Sequence, residues 1–280
     1  MDTTDRNGAL RRLHEQCAYE TRIASRLRNA DRNERLPLYG RLADEYARHF
    51  PEHLPADDAG CDRTVDYEIR FLRRFLRPDM TVAEVGPGRG RLAFALAPFV
   101  AKVYGVYVSE VYLPARRPPN FEFRMTDGLH MPFASDSLDL LVSNQLMEHL
   151  HPDDAVDQLQ DIHRVLKPGC SYVCVTPSPV NGPHDCSAYF DDIPCPIQDR
   201  RYVATGLHLK EYTSRELTDV FRRVGFRHAQ PWIGARGRYI ALPTSLLQLV
   251  EDAVQWMPPN QRKRSSALGV ILGNRVIASK

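Results

Sequence analysis

Between Glu84 and Gly90 the chain reads Glu-Val-Gly-Pro-Gly-Arg-Gly, an acid two residues ahead of three glycines on alternate positions. Glycine tolerates positive φ and lets a ligand come close to the backbone, and a helix beginning near Arg91 would aim its free N–H groups at that ligand. The chemistry implied is capture of a nucleotide-like molecule by main-chain amides. A pyrophosphate-binding dinucleotide turn wants G-x-G-x-x-G and an acid about 20 residues further on. Here the glycines fall at 86, 88 and 90, giving E-x-G-x-G-x-G. Three histidines, His149, His184 and His208, are candidate proton acceptors because imidazole titrates near neutral pH. His184, beside Asp185 in a Gly-Pro-His-Asp turn, is the first choice for a general base, and His149 the second.

Such a loop needs a strand before it and a helix behind it. Apolar runs and turn residues predict strands at 81–85, 102–107, 121–125, 138–143, 170–176 and 226–232, with a last one near 268–277. Helices are expected near 90–98, 110–114, 152–166 and 214–224, the last opened by the capping box Thr213-x-x-Glu216. Alternating β and α predicts an α/β fold, a Rossmann-like doubly wound, seven-stranded, mostly parallel sheet. Upstream, Leu10, Leu13, Cys17, Ile23 and Leu27 recur at helical spacing, Pro37 is expected to break that helix, and Leu38, Tyr39, Leu42, Tyr46 and Phe50 form a second stripe. A further helix is expected over 64–77. The organisation expected is a helical extension or lid over 1–60 and a ligand-binding domain over 61–280, with insertions near 177–212 and 243–260 that shape the site.

Lys and Arg number 37 against 35 Asp and Glu, a formal charge of +2, so no global field draws the chain to nucleic acid or an anionic membrane. No apolar run approaches the ~18 residues needed to span a bilayer, and the polar start suits the cytoplasm. The six cysteines, at 17, 61, 170, 174, 186 and 195, form no C-x-x-C pair, the usage of a reduced compartment. A zinc site from His184, Cys186 and Cys195 is conceivable, but scattered thiols fit the spacing better and no metal is expected. Oligomeric state is left open by the sequence.

Four segments over roughly residues 64–230 resemble the class I S-adenosylmethionine-dependent methyltransferases, of the methyltransferase type 11 kind. The first is the glycine loop. The second is Thr126-Asp127-Gly128-Leu129 followed by Met131-Pro132-Phe133; the third is Ser137-Leu138-Asp139-Leu140-Leu141-Val142-Ser143 running to Glu148-His149-Leu150; the fourth is Arg164-Val165-Leu166-Lys167-Pro168-Gly169. The resemblance implies S-adenosylmethionine as cofactor, held by Glu84, Gly86, Pro87, Gly88 and Gly90. It implies Asp127 accepting from the adenine amino group, with Gly128 and Leu129 beside the ring, and Asn144 and Gln145 at the carboxyl end of a central strand. One departure stands out, because Tyr107 occupies the end of the second strand where the family carries an acid that chelates the ribose hydroxyls. Either Tyr107 or Glu110 is expected to substitute. The function implied is methyl transfer to a small molecule, in the manner of an O-methyltransferase acting on a natural product, sugar or other metabolite. Two alternatives stay open: a macromolecular acceptor (RNA or protein) docking on Gln261-Arg262-Lys263-Arg264, and a non-enzymatic S-adenosylmethionine- or nucleotide-binding module.

Overall fold

A computed structural model of the chain describes residues 3–53, 63–186, 196–235, 238–258, 261–262 and 273–280. Two helices, α1 (Thr3–Asn29) and α2 (Arg32–His49), precede α3 (Arg63–Leu72) and the alternating part of the chain. That part runs β1 (Thr81–Val85), α4 (Arg91–Leu96), β2 (Lys102–Tyr107), β3 (Phe121–Met125), β4 (Leu138–Asn144), α5 (Pro152–Val165) and β5 (Leu166–Thr176). It continues with a small hairpin of β6 (Ile197–Gln198) and β7 (Arg201–Tyr202), then α6 (Ser214–Arg223), β8 (His228–Ala235), β9 (Arg238–Ala241), α7 (Thr244–Gln255) and β10 (Asn274–Ser279).

The main sheet has the order β3-β2-β1-β4-β5-β10-β8-β9. From β3 to β5 all neighbours are parallel, and β10 runs antiparallel between β5 and β8. These are the seven strands expected, and β9 adds an eighth by pairing antiparallel with β8, Trp232 opposite Ala241. Successive side chains of a strand face opposite sides, and the buried residues obey that alternation. Ala83, Val85, Leu141 and Tyr172 pack with α2, α5 and α6, while Val82, Leu140, Val142 and Val173 pack with α3 and α4.

Two expectations about helices are corrected. Pro37 lies inside α2 and does not break it, because Asp31 and Glu34 form a capping box that starts the helix earlier. The missing N–H would have met the carbonyl of Asn33, and both residues are exposed, so water can solvate that carbonyl. Residues 110–114 form turns in place of a short helix, with Ser109 Oγ accepting from the Val111 amide and the Tyr112 hydroxyl donating to the Ala43 carbonyl on α2.

The helical extension is fastened to the sheet by buried charge. Arg35 on α2 grips Asp154, in the first turn of α5, with Nε and Nη2 at 2.8 and 3.0 Å, and the Tyr39 hydroxyl donates to the same carboxylate at 2.7 Å. Both partners are buried, and the Asp154 carboxyl is held below its usual range although desolvation works the other way. Near the other end of the site, Cys17 on α1 meets Cys186 at 2.7 Å between sulfurs, and Arg28 donates to the His208 carbonyl at 2.7 Å. Among the described residues no helix is long and apolar enough to cross a membrane.

Candidate active site

At the exit of β1 the chain turns through Gly86 and Gly88 at φ 71° and 50°, and the Gly86 amide donates to the Val106 carbonyl on β2 at 2.9 Å. A Cβ at Gly86 would stand 2.7 Å from Leu146 Cδ1, whereas one at Gly88 would meet nothing within 4 Å. The loop is thus packed against the β4 exit on one side and open on the other. α4 starts at Gly90, which has no side chain to cap it. Glu84 takes over that task from within the sheet, its Oε2 accepting from the Ala93 amide in the first turn of α4 at 2.7 Å. Burial pushes this carboxyl up to about 8, so it is uncharged at neutral pH. Pro87, opposite, would be 3.2 Å from a Cβ at Gly105 on β2.

The exits of β2 and β3 lie beneath α2. Tyr107 is half-buried with its phenol shifted upward by desolvation, and Glu110 is paired with Arg117. Two residues beyond Tyr107, Ser109 Oγ donates to Asp44 of α2 at 2.5 Å. On the next strand Asp127 accepts from the amides of Leu129 and His130, both at 2.9 Å, and pairs with the His130 ring, contacts that hold its carboxyl below the usual range against desolvation. Gly128 packs against Tyr39 and Val108, its carbonyl receives Gln158 Nε2 at 2.6 Å, and Leu129 is fully buried.

At the exit of β4, Asn144 is partly buried and Gln145 is exposed in a left-handed conformation at φ 56°, its amide bonded to Val175 on β5. A non-glycine residue held there stores local strain, the kind that clusters at ligand sites. Next come Glu148 and His149 on a short 3-10 turn. Glu148 is fully buried, with Oε2 receiving the Thr176 hydroxyl at 2.8 Å and Oε1 without a partner among the described residues. Its backbone carbonyl receives the amides of Leu209 and Lys210, which brings His208 alongside. Glu211, held down to about 2 by two imidazoles despite its burial, accepts from or pairs with both: Oε1 lies 2.7 Å from His208 Nδ1, and Oε2 lies 3.3 Å from His184 Nδ1.

His184, His149 and His208 are therefore gathered around the β4 and β5 exits, while Asp127 and Tyr107 stand at neighbouring strand ends. Cys186 turns to Cys17, and Cys195, the third member of the conceivable zinc trio, lies outside the described residues. Arg262 is buried, donating to the carbonyls of Val180 and Arg200, and is no docking surface; Lys263 and Arg264 lie outside the described residues. Sequence reasoning passed over Glu148, Thr176, Glu211 and Asp44. The adjacent Glu148-His149 and the spacing His208-x-x-Glu211 were visible signals; the others depend on chain folding.

A parallel sheet in this order, with a glycine loop leaving β1 and polar residues at the exits of β2 to β4, defines the Rossmann-like class I methyltransferase fold. Solved structures agree on the fold. A chain of the complex containing the Haloferax volcanii Trm112 methyltransferase activator matches at TM-score 0.54 and 16% identity, covering 84% of this chain and 94% of that one. A SAM-dependent methyltransferase from Thermotoga maritima matches at TM-score 0.50 and 16% identity, covering 86% and 97%. Residues 83–174 match the family model of a methyltransferase domain. Over these residues the chain carries a methyltransferase domain, which makes it an S-adenosylmethionine-dependent methyltransferase with S-adenosylmethionine as its cofactor. The loop suits this cofactor, which has no phosphate: the space beside Gly88 is open, and Glu84 is turned inward and uncharged.

Proposed function

We propose that this methyltransferase acts on an oxygen of a small molecule, such as a natural product, sugar or other metabolite. Bound S-adenosylmethionine supplies a methyl group already activated on a sulfonium, so the chain's task is chiefly positioning, which can lower a barrier by ~7–11 kcal/mol. In this reading, amides of residues 86–90 hold the amino-acid tail, Asp127 reads the adenine amino group beside Gly128 and Leu129, and Asn144 and Gln145 border the reaction end. Asp44, brought to the β2 exit by Ser109, supplies with Tyr107 the ribose contact that the strand itself omits. Within the expected lid region 1–60, α2 serves as a cap, fixed by Arg35 to Asp154 and lying over the adenine and ribose ends.

The observation that carries the choice of oxygen is the pairing of His184 with Glu211. A carboxylate at Nδ1 favours the tautomer whose Nε2 can accept a proton, the arrangement of an oriented general base. Burial and the neighbouring His208 pull His149 down to about 3, too weak a base for a hydroxyl, so the role falls to His184. With a net charge of only +2, the chain offers little attraction to a polyanionic acceptor.

Incubation with methyl-labelled S-adenosylmethionine and a panel of hydroxylated small molecules, RNA and protein tests this reading. Label is expected in a small molecule, with turnover at saturating substrate falling at least tenfold in His184→Ala. Label entering only RNA or protein overturns it. One observation favours that second reading, a macromolecular acceptor or a protein partner: Ile240, Leu246, Leu249 and Trp256 are exposed, between 46% and 74%.

A further inference from the structure

We propose that Glu148, His149 and His208 form a binding site for one divalent transition-metal ion at the carboxyl edge of β4 and β5, with coordination positions left for an oxygen ligand. One ligand atom from each of the three residues lies within 4.8 Å of the other two. That proximity alone would be an internal polar cluster. What separates it from one is the way each donor is held. Glu148 Oε2 is fixed by the Thr176 hydroxyl, while Oε1, fully buried, has no partner among the described residues. A buried acceptor left unpaired costs about 1–3 kcal/mol, and more when it is charged.

The two imidazoles are prepared in the same way. His208 Nδ1 faces Glu211 Oε1 at 2.7 Å, and His149 Nδ1 faces the Leu207 carbonyl at 3.3 Å. A carboxylate or carbonyl at Nδ1 keeps a proton there, so the lone pair of the neutral ring, which a metal would take, sits on Nε2; metal-ligating histidines are oriented by this arrangement. The rings stand edge to face with centroids 4.9 Å apart. The backbone holds the donors in place, since the Leu209 and Lys210 amides both bond to the Glu148 carbonyl and Arg28 holds the His208 carbonyl.

The donor set identifies the kind of ion. Two imidazoles and one carboxylate suit Zn2+, Mn2+, Fe2+, Co2+ or Ni2+, and not Mg2+ or Ca2+, which prefer all-oxygen shells. Three protein ligands are one fewer than a closed structural zinc site uses, so water or a substrate oxygen completes the shell. Bonds of ~2.1 Å place tetrahedral donors about 3.4 Å apart, so the ion is expected to draw the cluster inward by roughly an ångström. The ion site stands independently of the cofactor reading; only the assignment of the methyl acceptor as the oxygen ligand rests on it.

The test uses full-length protein stripped with a chelator and titrated calorimetrically with Zn2+ and with Mn2+, alongside a separate titration with S-adenosylmethionine on the same samples. One ion per chain is expected, with an anomalous-scattering peak between the three side chains in crystals grown with Zn2+. Glu148→Gln and His208→Ala should each weaken ion binding 10- to 100-fold while S-adenosylmethionine binding persists, and His163→Ala, remote from the cluster, should bind the ion as the parent does. Should Glu148→Gln not fold, His208→Ala and the crystal peak decide. Binding of less than a stoichiometric ion by the parent, retention of the ion by the Glu148→Gln, His208→Ala double variant, or a zinc peak elsewhere overturns the proposal. Failure of S-adenosylmethionine to bind while the ion does would count against the cofactor site alone.

Discussion

The exits of β1 and β4 carry the same device, a buried glutamate at the carboxyl edge of adjacent central strands, and use it differently. Burial raises both carboxyls, Glu84 to about 8 and Glu148 to about 7. Glu84 serves the chain: its oxygen closes on the Ala93 amide because the loop that makes room for a ligand ends in Gly90, a helix cap with no side chain. After β4 the following helix has its own supports. His151 Nδ1 accepts from the Asp153 amide, and Asp154 in the first turn is gripped by Arg35. Glu148 is held through Oε2 by the Thr176 hydroxyl, while Oε1 stays unpaired among the described residues. A carboxylate required by the fold is satisfied by the fold; one left unpaired is available to something else.

This contrast can be broken experimentally. The largest effect belongs to the pair that does the structural work near β4, and Arg35→Met, which strands Asp154 in the interior, should cost about 3–5 kcal/mol in urea unfolding. Glu84→Ala removes the cap of α4 and leaves a small cavity, with an expected loss of about 2–3 kcal/mol. Glu148→Gln, in metal-free protein, should change stability by less than about 1 kcal/mol, because the amide oxygen can still accept from Thr176. Equal losses for Glu84→Ala and Glu148→Gln would mean that both glutamates serve the fold, and the distinction would fall.

Dependence on pH sharpens the first half of the comparison. The folded state raises the Glu84 pKa from 4.5 to about 8, so it favours the protonated acid. This contribution to stability is complete below about pH 4.5, declines as pH climbs, and is gone above about pH 8, at up to ~1.4 kcal/mol per pH unit. Unfolding curves at intervals between pH 5 and 8 should therefore fall less steeply for Glu84→Gln than for the parent. Identical slopes would show that Glu84 is ionised in the folded protein.

Much of this architecture was legible in the sequence because it is local. The limits of β1, β2 and β3 follow from apolar runs closed by turn residues and match the expected ranges, and α6 begins at the capping box that marks it. The error at Pro37 came from weighing a helix breaker above an Asp-x-x-Glu cap six residues earlier that was equally visible. What the chain could not reveal locally were partners far apart in sequence. Thr176 is 28 residues from Glu148, and Asp44 is 65 from Ser109; only the parallel crossovers and the packing of α2 bring them together. The candidate histidines were visible as residues, and the spacing His208-x-x-Glu211 hinted at one partner, but that the same carboxylate also reaches His184, 27 residues away, depends on the fold.

The smallest effects lie at the two remaining strand exits, where the same question, fold or ligand, is asked of Asp127 and Asp44. Asp127 does both jobs in our reading. Asp127→Asn keeps an oxygen for the Leu129 and His130 amides but presents an amide donor to the adenine amino group, so S-adenosylmethionine should bind at least tenfold more weakly with little change in stability. At the β2 exit, Asp44 is exposed on α2 with its carboxylate accepting from Ser109, so its removal leaves the core untouched. If it supplies the ribose contact in place of a strand-borne acid, Asp44→Ala should weaken cofactor binding by about five- to tenfold, near 1–1.4 kcal/mol, as expected for one exposed carboxylate-to-hydroxyl bond. Tyr107→Phe, which removes only a buried phenol oxygen, should then have the lesser effect. The reverse order, with Tyr107→Phe weakening the cofactor and Asp44→Ala silent, would return the ribose contact to the strand and leave α2 as a cover that touches no ligand.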